Sequence, residues 1–146
     1  MKKRIISALR NKKGESSYID VVILVFVSIM AIVLALNVFS YLTLRQDIDY
    51  IASSMADAAA MEGLTESREL DSLFKKLCDN AGVEAEYEIT SDEYYNRSKN
   101  EVQLGDPLTV TVSCETTFKG LGQLGASMEI NVSVSKTSLS RVYFKD

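Results

Sequence analysis

Two cysteines, Cys78 and Cys114, and twenty carboxylates dominate the reactive side chains of this chain, and histidine and tryptophan are absent. Without an imidazole, histidine-based acid–base catalysis is excluded. Two separated thiols do not make a metal centre, which leaves carboxylate-only sites as the one metal chemistry open. Glu84, Glu86 and Glu88 alternate along one side of a predicted strand and read as an ordinary solvated face. Asp47 and Asp49 stand two apart on a predicted helix, point to different sides and form no acid–base pair. No nucleophile has a recognisable activating partner. The expectation is therefore a protein that is not an enzyme, with no cofactor and no evident small-molecule substrate. The cysteines carry what chemistry remains. A Cys78–Cys114 disulfide would close a 37-residue loop and contribute roughly 4 kcal/mol in the chain-entropy picture; two unpaired core thiols are the alternative.

A second set of residues has no catalytic look and an unusual placement. In "KKGESSYIDVVILVFV", Gly14 follows two lysines, Glu15 comes next, and Asp20 stands against a long apolar run. From Val21 to Leu44, 24 residues carry no charge, and the first 16 are apolar except for Ser28. As a helix that stretch is about 36 Å long, enough for a hydrocarbon core of about 30 Å. Val21, Leu24, Phe26, Ile29 and Leu36 are representative of its lipid-facing positions. All six bases before Gly14 precede the run, and only Arg45 follows it closely. The positive-inside bias puts the N-terminus in the cytoplasm and residues beyond about 45 outside, where a disulfide is permitted. Beyond Gly14, ten bases face all twenty acids, a net −10. Such an acidic body has no basic face for phosphates, so nucleic acid is not an expected partner.

Three readings of the apolar segment are open. It is a secretory signal cut after Val33-Leu34-Ala35, an uncleaved anchor, or a helix that keeps its place after removal of a leader ending at Gly14. A short basic leader ending in glycine, a few polar residues, an acid at the apolar edge and a long continuous helix together resemble the type IV pilin superfamily. Within it, the TadE-like pseudopilins of Tad-type systems, including those of Gram-positive bacteria and their mobile elements, are the nearest in pattern. The resemblance covers residues 1 to about 65, including the alanine-rich "IASSMADAAAMEGLT". It implies that a prepilin peptidase cuts after Gly14 and leaves Glu15 as the new N-terminus. It also implies that an acid at the helix edge registers the subunit against its neighbours. The family's acid lies five residues after the glycine, where Ile19 stands here; Asp20 is six after. A carboxylate at the membrane edge is costly enough to favour a partner, and a neighbour's freed amino terminus would be one; hydration among the headgroups is the other outcome.

The elements that hold these residues can be read from periodicity. No glycine or proline lies between Gly14 and Gly63, which allows one helix of about 70 Å. Past Arg45 its apolar positions Leu44, Ile48, Ile51, Met55 and Ala59 recur at helical spacing, with Asp47, Asp49, Ser53, Ser54 and Asp57 on the other faces. A second helix is predicted over 66–80, with Thr65 as N-cap and Gly82 as stop. Alternation then predicts strands in "VEAEYEIT", "LTVTVSCETTF" and "MEINVSVS", with a fourth in "LSRVYF". "SDEYYNRSKNEVQLGDP" reads as a polar loop and "KGLGQLGA" as a glycine-rich connection, without a phosphate cradle at Gly120, Gly122 or Gly125.

The fold expected is α+β: a long N-terminal helix, a short second helix and an antiparallel sheet of three to four strands. It divides into a basic leader (1–14), a transmembrane helix (15–44), its amphipathic continuation (45–62) and an extracytoplasmic domain (63–146). The function expected from the resemblance is that of a structural pilin-like subunit of a surface filament or secretion apparatus. Its partners would be other pilin-like subunits, the prepilin peptidase, the assembly machinery and membrane lipid. The competing expectation is an uncleaved, single-pass anchor carrying an extracytoplasmic binding or sensing module.

Overall fold

The computed structural model describes residues 2–118 and 128–145, with side chains placed for 18–117 and 129–145. The glycine-rich connection with Gly120, Gly122 and Gly125 lies outside the described residues. The chain forms two compact units, 1–39 and 40–146. One helix, α1 (Lys2–Glu62), supplies all described residues of the first unit and opens the second. The absence of glycine and proline between Gly14 and Gly63 suits its uninterrupted course over that span.

In the second unit, α2 spans Arg68–Ala81, and three strands follow: β1 (Glu86–Thr90), β2 (Pro107–Phe118) and β3 (Met128–Leu139). They form one antiparallel sheet in the order β1-β2-β3. The α+β architecture is as the periodicity indicates, with three strands among the described residues. Alternation divides β2 cleanly: Leu108, Val110, Val112 and Cys114 are buried, while Thr109, Thr111 and Ser113 face away from the core. On that outer face Thr109 shares a hydrogen bond with Thr137, and Thr111 with Ser135, across the β2–β3 ladder.

The core is built where the α1 stripe meets the sheet. Ile48, Ile51, Ala52, Met55 and Ala59 are fully buried and pack with Leu108, Val110, Val112, Ile89 and Leu70. Small alanines along α1 let helix and sheet approach closely, and Leu44 completes the stripe from a half-buried position. Lys136 on β3 bonds Asp49 on α1 at 2.7 Å, and Arg141 lies 3.8 Å from Asp57. Both pairs are exposed, so each adds little beyond orientation. Val102, inside the stretch read as a polar loop, is fully buried. It is drawn in because its N–H donates to Gly63 O at 2.8 Å and its carbonyl accepts from Ser140 Oγ at 2.8 Å.

Several element ends differ from the sequence expectation: β1 begins only at Glu86 and β3 runs on to Leu139. Ser67, not Thr65, caps α2: its hydroxyl accepts from Leu70 N at 3.1 Å. Thr65 is already committed, being buried with its N–H donated to Asn100 O at 3.0 Å. The segment "LSRVYF" makes no fourth strand. Beyond Leu139 the chain is irregular, and a side chain serves as its partner: Gln103 accepts from Phe144 N (2.8 Å) and donates to Phe144 O (3.0 Å). Gly63 ends α1 in the left-handed region (φ 66°). A Cβ there would stand 2.9 Å from Val142 Cβ and 3.0 Å from Phe144 Cε2, so glycine is required for both its conformation and its space. The tail also satisfies the end of α1, since Arg141 N–H donates to Ala60 O at 2.8 Å.

Candidate functional site

Seventeen large hydrophobic side chains between Tyr18 and Leu42 are exposed. They include Val21, Leu24, Phe26, Ile29 and Leu36, which are between 55% and 68% accessible. Burying one such side chain is worth about 1.5–3 kcal/mol. Covering all of them would be favourable by roughly 15–30 kcal/mol, above the roughly 5–15 kcal/mol net stability of a typical domain. An apolar covering for this stretch of α1 is therefore strongly favoured. By length and composition it is the one helix, among the described residues, able to cross a membrane, and none of its apolar window is buried in the protein. This is the pattern of a single-pass membrane anchor.

Two polar residues inside the run turn back on their own helix. Ser28 Oγ donates to Leu24 O and Asn37 Nδ2 donates to Val33 O, both at 2.8 Å. Each thereby limits its polar cost in an apolar medium. Asp20 sits exposed at the start of the run. Gly14 and Glu15 lie within α1, at positions whose side chains fall outside the described set.

The two cysteines are free thiols, and the Cys78–Cys114 disulfide anticipated from the sequence is not formed. Each thiol is placed by its own element. Cys78 is half-buried on α2. Cys114, buried on β2, directs its thiol 3.8 Å towards Glu115 O. Burial pushes both thiols above their ordinary pKa. For Cys78 the charge of Asp79 adds to the rise while the Ala85 backbone opposes it; for Cys114, Glu84 and Glu115 add. Neither is an activated nucleophile.

Tyr87 completes the polar geometry of this side of the domain. Its hydroxyl donates to Asp71 Oδ1 at 2.6 Å, and its ring lies 4.5 Å from that of Phe74. Burial first, then the Asp71 bond, raises its pKa well above the usual tyrosine range. No group of three or more potential metal ligands occurs among the described residues; Glu86 and Glu88 lie on the outer face of β1 as the alternation indicates. Nothing in the sequence signals the clamp made by Gln103, because a lone glutamine in a polar loop has no periodicity.

No curated protein and no solved structure matches the chain. A family model described as a domain of unknown function, DUF4320, matches residues 23–145. The matched stretch takes in most of the apolar run and the whole α+β domain, while Gly14, Glu15 and Asp20 precede it. The chain belongs to the DUF4320 family.

Proposed function

We propose that this protein is a structural, TadE-like pilin subunit of a surface filament or secretion apparatus. In this reading the N-terminus is cytoplasmic and the domain from about residue 45 lies outside the cell membrane. A prepilin peptidase cuts after Gly14, and the apolar half of α1 then exchanges lipid for the helices of other pilin-like subunits. The observation that carries the reading is the exposed apolar surface between Tyr18 and Leu42 on a helix whose later turns form the domain core. A helix apolar on every face suits both lipid and a bundle, and one unbroken helix keeps the domain attached through the exchange. The basic leader ending in glycine and the acid at the helix edge support the same reading from the sequence.

Asp20 tests it. If its carboxylate meets the freed amino terminus of a neighbour, Asp20→Asn should leave cleavage and membrane insertion intact. Co-purification with partner pilins should fall by about tenfold, equivalent to roughly 1.4 kcal/mol. Asp20→Glu should retain most of the association. The double change Ile19→Glu with Asp20→Ile moves the acid to the spacing of the pilin pattern and, on a helix, turns it by about 100°. Association unchanged in every variant would remove the registering role from Asp20 and favour an anchored domain that stays in the bilayer.

A further inference from the structure

The sheet is incomplete on its β1 side. β1 pairs with β2 only from Thr90↔Thr109 to Glu86↔Ser113. β2 continues to Phe118 with β3 on one side, ending at Phe118↔Met128. On the other side of residues 114–118 no strand lies among the described residues. The cause is local. Gly82 closes α2 in the left-handed region, and Val83 N–H donates to Cys78 O at 3.2 Å. Val83 is thereby tied to the end of α2, and residues 83–85 make no pairs with β2.

A groove of about 730 Å³ occupies the vacated place. Phe74 and Cys78 give it an apolar wall on the α2 side. Among the described residues, Asp79, Glu84, Glu86 and Glu115 line it together with one ammonium, that of Lys75. The register puts Glu86 beside Ser113 and Glu115 two residues further along β2, so both carboxylates face the outer side of the sheet. The groove thus has two chemically different walls in line with β1, joined by a free strand edge.

We propose that this groove receives an extended segment of a partner polypeptide, which pairs with residues 114–118 as an added strand. A free edge supplies backbone donors and acceptors at strand spacing, and alternate side chains of the incoming strand reach opposite faces. Charge complementarity defines the partner: apolar residues towards Phe74 and Cys78, alternating with lysine or arginine towards Glu86 and Glu115. Such attraction sharpens specificity and association rate and weakens as salt is added. The inference does not depend on filament assembly and holds equally for a domain that remains at the membrane.

The experiment uses the full chain in a non-ionic detergent and a fluorescent ten-residue peptide of alternating valine and lysine. Controls carry glutamate for lysine, or prolines at two central positions, which remove backbone donors. The valine–lysine peptide alone should bind, and it should slow hydrogen exchange at residues 114–118. Glu86→Lys with Glu115→Lys, both on the outer face and so compatible with folding, should weaken binding by about tenfold or more. Absence of binding, equal binding of the glutamate or proline peptide, or protection confined to the outer edge of β3 would each overturn the proposal.

Discussion

At Tyr87 a phenol is held between an aromatic ring and a carboxylate, and the consequence is an alkaline limit on stability. Its pKa is raised on folding from the ordinary value of 10.0. The folded state therefore holds the proton more tightly than the unfolded chain. The Tyr87 contribution is complete below pH 10 and is lost as the pH climbs through the raised value. Tyr87→Phe should cost up to about 1 kcal/mol at neutral pH and flatten the loss of stability above pH 10, as read by urea unfolding across that range. The cysteines belong to the same scale. Peptide mapping without reductant should recover both unlinked. Alkylation in the native state should reach half-buried Cys78 before buried Cys114, at rates rising about tenfold per pH unit because the thiolate is the reacting form. A Cys78–Cys114 peptide in the map would contradict the arrangement of the two thiols. Their burial was legible from the periodicity of α2 and β2; their unbonded state was not, because sequence spacing says nothing about how the two sulfurs are oriented.

The elements end where backbone groups are already taken, and this decides which boundaries a sequence reveals. The stop of α1 at Gly63 and of α2 at Gly82 was plain, since glycine adopts the left-handed closure seen at both with the least strain. The start of α2 was two residues late because Thr65 is held by Asn100, a long-range bond with no local signature. β1 takes only Glu86–Thr90 of "VEAEYEIT" because Val83 N–H is held by Cys78 O on α2. Two substitutions probe these ends. Ser67→Ala removes the hydroxyl that accepts from Leu70 N and should cost about 1 kcal/mol in urea unfolding. Gly63→Ala places a methyl within 2.9 Å of Val142 and forces a left-handed alanine; a loss of roughly 1–3 kcal/mol is expected. If Gly63→Ala were neutral, the C-terminal tail would not pack on the end of α1 as described.

For the whole molecule, the balance of apolar surface is the governing quantity. The domain buries its own α1 stripe against the sheet, whereas the preceding turns expose large hydrophobic side chains on every face. This division was legible in the sequence, because uncharged length and helical spacing are both local properties of the chain. The free edge of β2 was hidden, because it arises from where β1 departs and not from any pattern within β2. The proposed pilin role makes one demand that no simple anchor shares, namely removal of the basic leader. The most direct measurement is the N-terminus of the mature protein, by intact-mass and peptide mass spectrometry from cells with an active prepilin peptidase. The expected result is Glu15 as the first residue, with Gly14→Leu leaving the precursor uncut. A mature protein that begins at Met1 or Lys2 in those cells, or one processed after Ala35, would contradict it.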